Sequence, residues 1–374
     1  MDKVEFFSFK DAPEALRDEW RVAIAQVIES GIFIGGPAVA KFESEWAEYL
    51  GVRHAIGVGN GYDALVVALK ILGVGRGDLV AVPSHTFVAT WLAVDAVGAT
   101  PVGIDCNVFG LMDLDLLETH TSKFAAVIPV HMHGQMVDMP RLVTWAKKMK
   151  VRIVEDCAQA HGARIDGKLA GTWGDFGAFS FYPTKNLGAV GDAGSLVTND
   201  ESLAIKARSF VNYGSVPGNK YEYQFHGINS RLDPIQAAAL SINLKYLDAW
   251  NTKRQEIAKI YSESFKMHRI QCLPIERDSV FHHFILLSEN RDLTRNLLEN
   301  AGIKTEIHYP ETAEKSFNKF ETSFDVHPGQ KASTLASKTL SIPISPWMND
   351  LAVQQTIDAV LNSVVLSSII TDRS

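Results

Sequence analysis

The sequence predicts an α/β protein built on a mainly parallel sheet with helices on both faces, and three observations carry that reading. From His54 onward, short apolar runs alternate with segments of helical periodicity, which is the pattern of repeated strand-helix units. The first such strand passes into its helix through Gly57-Val-Gly-Asn-Gly61, a turn tight enough to call for residues without side chains. At 374 residues the chain exceeds the length at which one core usually keeps growing, so a large domain with a smaller companion is expected.

Taken in order, Leu16, Trp20, Ile24, Val27 and Ile28 share one face of a helix from Pro13 to Ser30, closed by Gly31. The stretch 32–37 is a turn before a second helix through Phe42, Trp46 and Tyr49 that ends at Gly51. Strands are expected at Ala55–Val58, Leu79–Val82, Thr100–Ile104, Ala125–Val130 and Arg152–Glu155, with helices beginning near Gly61, Thr86, Asp113 and Pro140 between them. Two further runs, Phe176–Phe181 and Ser195–Thr198, have no helix between them, so at least one of the resulting seven strands should be antiparallel.

Residues 210–230 read as a long polar and aromatic loop. Asp233 and Pro234 then cap and open one long helix through Leu240, Leu244, Leu247, Trp250 and Ile257. That helix links a large domain, residues 1–245, to a smaller C-terminal α/β domain, residues 246–374. The latter carries a strand at Phe281–Leu287, a helix at Leu293–Asn300 and a last helix from Leu351.

Hydrophobic residues at 46% and charged residues at 21% describe an ordinary globular protein. A net charge of −7 argues against a nucleic-acid surface, which needs clustered Lys and Arg. Cys106, Cys157 and Cys272 are odd in number and far apart, which fits a reducing compartment better than a disulfide framework. Met1 to Lys10 lacks a signal pattern, and no apolar run reaches membrane-spanning length. A cytoplasmic protein is therefore expected. No metal site is expected either: His131 and His133 alternate along a strand and face opposite ways, without a cysteine or carboxylate nearby at ligand spacing. His161, His226 and the pair His282-His283 likewise lack ligand partners.

The chemistry concentrates in Phe179-Ser-Phe-Tyr-Pro-Thr-Lys-Asn-Leu-Gly-Ala-Val-Gly-Asp-Ala-Gly194. Pro183 forces the chain out of a buried strand, which leaves Lys185 on a loop at a strand end, where open α/β folds bind ligands. A lone lysine on a turn is ordinarily a solvated one. Upstream, however, a β-branched run ends at Glu155-Asp156, so a carboxylate emerges at another strand end. A lysine that condenses with an aldehyde and an acid beside a pyridinium nitrogen are the two groups that pyridoxal phosphate most needs. The turn Gly57–Gly61 misses the dinucleotide fingerprint, because its third glycine comes one residue early. It reads either as a tight strand-to-helix turn or as a phosphate site on the amides of Gly61 and Tyr62.

Five stretches in order, Gly59-Asn-Gly-Tyr-Asp-Ala-Leu65, Val82-Pro-Ser-His-Thr-Phe-Val-Ala-Thr-Trp-Leu-Ala-Val94, Glu155-Asp-Cys-Ala-Gln-Ala-His-Gly162, Ser180-Phe-Tyr-Pro-Thr-Lys-Asn-Leu-Gly188 and Asn229-Ser-Arg-Leu-Asp-Pro-Ile-Gln-Ala237, resemble the sugar aminotransferases of the DegT/StrS type. The resemblance implies an aspartate-aminotransferase-like fold, pyridoxal phosphate fold type I. It implies Lys185 and Asp156 as catalytic residues and Gly61, Tyr62, Phe87, Gln159, Ser180 and Asn229 as further cofactor contacts. Phe87, which spacing alone would assign to the core, would stack on the cofactor ring opposite Gln159. Asn229 would reach the cofactor phosphate of a neighbouring subunit, making a homodimer obligatory. His85, Tyr182, Tyr221, His308 and Tyr309 are the implied substrate contacts, although a surface loop closed by Pro310 explains the last two nearly as well.

The implied reaction uses L-glutamate as donor and a nucleotide-linked keto-deoxysugar as acceptor, as in lipopolysaccharide O-antigen and other deoxysugar biosynthesis. The stretches 86–94, 181–189 and 341–346 look most like members that aminate carbon three of thymidine-diphosphate (dTDP) 3-keto-6-deoxyhexoses, with members acting on carbon four as the alternative. Thr184 departs from the closest members, which more often carry glycine. Dehydratases on the same scaffold replace the lysine, so Lys185 argues against that rival; a non-catalytic cofactor-binding regulator has no basic patch here to support it.

Overall fold

The computed structural model describes residues 3–216, 218–317 and 329–371. Seven strands, β1 (His54–Val58), β2 (Leu79–Pro83), β3 (Thr100–Ile104), β4 (Ala126–Val127), β5 (Arg152–Asp156), β6 (Phe176–Ser180) and β7 (Gly194–Thr198), form one sheet in the order β1-β7-β6-β5-β4-β2-β3. Six of them run parallel, and β7 is antiparallel to both its neighbours, β1 and β6. The near-continuous apolar composition of these strands follows from burial on both faces. On β6 the alternation is clean: Phe176 and Ala178 enter one core with Ile56, Leu65 and Trp91, while Phe179 enters the other with Phe42 and Trp46.

Helices cover both faces: α1 (Glu14–Ser30), α2 (Gly36–Leu50), α3 (Gly61–Ile71), α4 (Ala89–Ala96), α5 (Leu114–Thr119), α6 (Met139–Met149), α7 (Glu201–Phe210), α8 (Pro234–Leu244) and α9 (Leu247–Met267). Gly31 and Gly51 end the first two in left-handed conformation, as a C-terminal glycine should. Beyond α9 the strands β8 (Phe284–Leu287) and β9 (Thr339–Ile342) pair antiparallel. With α10 (Arg291–Asn300) and α13 (Asp350–Thr371) they surround a separate core of Ile257, Tyr261, Phe265, Leu298, Leu340 and Ile357. No helix among the described residues is long and apolar enough to cross a membrane.

Several elements differ from expectation. The strand expected at Ala125–Val130 pairs only over Ala126–Val127, because Pro129 has no N–H to donate; Val130 rejoins through a single bridge to Asp156. The helix expected near Thr86 begins at Ala89. The single long helix is two, α8 and α9, separated at Lys245-Tyr246. Its apolar period runs through the break without a glycine or proline to announce it. Asn243, just before the break, is buried, accepts from the Trp20 indole at 2.7 Å and donates to the Gly188 carbonyl at 2.8 Å. Asp233 precedes α8 but makes no capping side-chain bond. The loop at 210–230 holds a short hairpin of Ser215–Val216 and Asn219–Tyr223, with Pro217 outside the described residues.

The N-terminal residues depart from the expected domain as well. Val4 pairs with Ile303 and is buried in the second core, so the start of the chain packs against residues beyond 245. Two short helices, α11 (Ala313–Phe317) and α12 (Gln330–Lys338), and strand β9 were not anticipated.

The loop after β6 is folded tightly enough to test. A Cβ on Gly188 would lie 2.1 Å from the Pro183 carbonyl oxygen, a backbone atom that cannot move alone. Gly188→Ala is expected to cost about 1–3 kcal/mol through overpacking, read as a lower thermal unfolding midpoint together with weaker retention of any ligand held by the Lys185 loop.

Candidate active site

Parallel strands deliver their carboxyl ends to one edge of a sheet. Here the ends of β1, β2, β5 and β6 meet at a cavity of about 440 Å³ whose lining includes Gly61, Phe87, Asp156, Gln159, Ser180 and Lys185. Lys185 is presented by a turn in which its N–H donates to the Tyr182 carbonyl at 2.8 Å, while Ala189 N–H returns to Phe181 at 2.8 Å. Burial pushes the Lys185 amine down to about 8, against the pull of Asp156, which favours its charged form.

Asp156 ends β5 and is 7% exposed. Its Oδ2 accepts from Thr90 Oγ1 at 2.9 Å and its Oδ1 from Ala158 N–H at 3.2 Å. Burial raises the carboxyl above its ordinary range, and those two donors, Lys185 and His131 hold the rise back. Gln159 is locked at both ends of its amide: Oε1 accepts from His133 N–H at 2.7 Å and Nε2 donates to the Tyr309 hydroxyl at 3.1 Å. Phe87 is 54% exposed, lines the same cavity, and its ring lies 5.5 Å from that of Tyr309.

Helix α3 starts at the cavity. The first N–H groups of a helix lack intrahelical partners; Asn60 Oδ1 accepts that of Asp63 at 2.8 Å, and Gly61 and Tyr62 both line the cavity. A Cβ at Gly61 would meet the Ser180 Cβ at 2.6 Å, so the close approach of helix start and strand end requires glycine. A reactive amine, a buried carboxylate with polar support and a helix N-terminus suit one small molecule bearing an aldehyde, a basic ring nitrogen and a phosphate. Pyridoxal phosphate has those three features, and these residues fit it.

The DegT/DnrJ/EryC1/StrS aminotransferase family matches residues 14–361 of this chain. The chain belongs to this family. It is 42% identical to a Streptomyces venezuelae protein named dTDP-3-amino-3,4,6-trideoxy-alpha-D-glucose transaminase, over 96% of this chain and 95% of that one. It is 40% identical to dTDP-3-amino-3,6-dideoxy-alpha-D-galactopyranose transaminase of Aneurinibacillus thermoaerophilus, over 96% and 98% of the two chains. Among solved structures, S. venezuelae DesV, crystallised with a ketimine intermediate, superposes with a TM-score of 0.92 at 41% identity, covering 97% of this chain and 98% of that one. The chain is thus a pyridoxal phosphate-dependent aminotransferase.

Within this aminotransferase, Gly61, Tyr62, Phe87, Asp156, Gln159, Ser180, Tyr182, Lys185, His308 and Tyr309 all line the one cavity. His85 does not. It is fully buried behind Tyr309, whose N–H it accepts at Nε2 over 3.2 Å; burial pushes it down to about 4. Tyr221, 80% exposed on the hairpin, and Asn229, exposed and bridged to Asn212, do not line the cavity of their own chain.

Sequence reasoning missed Thr90, the donor to Asp156. On spacing it is one more residue of an apolar helix, and only its four-residue offset from Thr86 hints at a polar row. It also weighed His282 and His283 solely as metal ligands. Both line the cavity, with ring centroids 4.0 Å apart, and His283 stacks on His308 at 3.8 Å. Asn186 spends both amide hydrogens on Asn251 and Val280, so His282 Nδ1 donates to its oxygen at 3.0 Å. Burial, reinforced by nearby Lys185, keeps His282 and His283 well below their ordinary range and takes His308 down to about 4. These rings are neutral at physiological pH.

Contrary to the expectation from spacing, His131 does have a carboxylate and a thiol beside it. The fold gathers His131, Glu155 and Cys157 so that their ligand atoms lie within 4.8 Å of one another. Those atoms are otherwise engaged: Glu155 accepts from the N–H groups of Gly171, Trp173 and Gly174 and from His131, and His131 Nδ1 accepts from Val137 N–H. The cluster ties the loop after β5 to the sheet.

Covalent capture of pyridoxal phosphate by the apoprotein, followed by absorbance, is expected to vanish in Lys185→Ala. In the wild type its rate should rise with pH up to about 8 and then level, since only the neutral amine attacks; an ordinary lysine would keep gaining up to about 10.4. Asp156→Asn should still take up cofactor, while turnover falls roughly 10²–10³-fold, as for the loss of one electrostatic partner of a reacting centre.

Proposed function

We propose that the chain transfers an amino group from L-glutamate to carbon three of a dTDP-linked 3-keto-6-deoxyhexose, yielding the dTDP-3-amino-3,6-dideoxyhexose, as a homodimer whose subunits complete each other's sites. The observation that carries the reading is one cavity holding an amine of lowered basicity beside a buried carboxylate. The sugar follows the names of the two relatives, each a transaminase of a dTDP-3-amino sugar. The shared site is supported by Asn229 and Tyr221, which are exposed and do not line their own chain's cavity. The cavity draws Lys185 and Asp156 from residues 1–245 and His282, His283 and His308 from residues 246–374, in keeping with a site between a large and a small domain.

When bound, pyridoxal phosphate supplies an aldehyde that takes up and gives back nitrogen, together with a ring that accepts electron density. Asp156 would keep the ring nitrogen protonated, and Thr90 and Ala158 would aim its oxygens. The amides of Gly61 and Tyr62 and the Ser180 hydroxyl would hold the phosphate, with Asn229 arriving from the second subunit. Gln159, fixed by His133 and Tyr309, and Phe87 would set the plane of the ring, so that a proton leaves and arrives along one direction. Lys185 Nζ would take the proton from the donor's α-carbon as a neutral amine and hand it on, then run the same transfer in reverse for the sugar. Nitrogen lost by glutamate, which leaves as its keto acid, equals nitrogen gained by the sugar carbon.

The test is spectroscopic. On the purified holoprotein, the visible band of the bound cofactor is expected to collapse with L-glutamate and to return with a dTDP-3-keto-6-deoxyhexose. A band that glutamate leaves untouched would refute the donor, and one that returns only with a 4-keto sugar would refute carbon three.

A further inference from the structure

A second cavity of about 320 Å³ adjoins the first and shares with it Tyr182, Thr184, His282, His283 and His308. On its wall stands Arg254, at 2% exposure. One guanidinium nitrogen, Nη1, donates to the Ile344 carbonyl at 2.6 Å, and Nε has no hydrogen-bond partner. Among the described residues no carboxylate offsets the cost of its burial; Glu306 also lines the cavity but is exposed. A buried cation without a counter-ion is costly, and folds rarely keep one unless something completes it. Burial pushes the Arg254 guanidinium down to about 9, which an arriving anion would reverse.

We propose that the Arg254 guanidinium seats a carboxylate of the amino donor, in a side chamber that shares a wall with the cavity of the catalytic lysine. The proposal rests on the transamination reading above and names the group that recognises its donor. A guanidinium presents parallel N–H groups that match the two oxygens of a carboxylate. The chamber also offers the apolar side chains of Phe6, Phe7 and Ile344, suited to the methylenes of a short diacid. Its volume is at the bottom of the range for ligand pockets, enough for a five-carbon diacid and too small for a nucleoside diphosphate. Reach is set by His282, close enough to both Lys185 and Arg254 that each cation disfavours its protonation. A donor with its amine at Lys185 and a carboxylate at Arg254 would span that neutral ring.

The experiment uses the holoenzyme and two probes: glutarate, a diacid with no amine, followed by calorimetry, and L-glutamate, followed by the cofactor band. In Arg254→Gln, glutarate binding should weaken roughly 10- to 100-fold, the scale of a lost charge-assisted hydrogen bond. The glutamate concentration at half-maximal rate should rise by a similar factor, with the cofactor band of the resting enzyme unchanged. If that variant does not fold, Arg254→Lys, which keeps the charge but not the fork, should weaken both by roughly 10-fold or more. Glutarate affinity and glutamate half-saturation both equal to wild type in a folded variant would overturn the subsite. A wild type that binds glutarate through Arg254 yet shows no response to any amino acid would instead uphold the anion seat and refute the transamination reading.

Discussion

The buried carboxylate of Asp156 is the constraint on which the rest of the site depends. A carboxylate sunk at the end of a central strand stays ionised only if polar groups and cations surround it, and the fold supplies them from several directions. Thr90 reaches it from the helix after β2, Ala158 from the turn after β5, and Lys185 from the loop after β6. Each of those elements is placed by the parallel order of β2, β4, β5 and β6. The reversal at β7 then turns the chain back, and its first residue, Gly194, packs so closely on Asn60 that a Cβ would lie 2.4 Å from the backbone carbon there. The start of α3 is thereby held beside the same edge.

Lys185 and Asp156 are tuned against each other. Burial drives the amine toward its neutral form and the carboxyl toward its protonated form, while their mutual attraction favours both charges. Of the other residues that line the cavity, only the exposed Asp192 carries a charge. His133, His282, His283 and His308 are crowded against one another, and burial keeps them neutral, with Lys185 adding to the effect at His282, His283 and His308. The buried part of the site therefore holds one acid and one amine against a wall of uncharged rings, with Arg254 as a second buried cation behind them. That distribution favours an anionic substrate that carries its own nitrogen or accepts one.

Much of the fold was legible because its signals are local. The caps at Gly31 and Gly51, the apolar runs of β1, β2, β3, β5 and β6, and the proline that ejects the Lys185 loop each act within a few residues of themselves. What was misread depends on distant partners. The break between α8 and α9 goes with Asn243 binding Trp20 and Gly188, residues far away in the chain. Val4 joins the second core by pairing with Ile303. His85 was read as facing substrate, yet it packs behind Tyr309. Thr90 passed as a helix residue, because nothing in its neighbourhood of sequence speaks of Asp156.

The sequence by itself determined the class of sheet, the strand ends that carry a lysine and an acid, and the family whose motifs Lys185, Asp156, Gln159 and Phe87 complete. Those features arise from spacing along the chain, where apolar period, glycine and proline act directly. Only the tertiary structure decided that Thr90 supports Asp156, that His282, His283 and His308 line the cavity in neutral form, and that Arg254 is buried without an acid beside the catalytic site. Burial and hydrogen-bond partnership set the charge of a titratable group, and neither is a property of a residue until the chain has brought its remote neighbours into place.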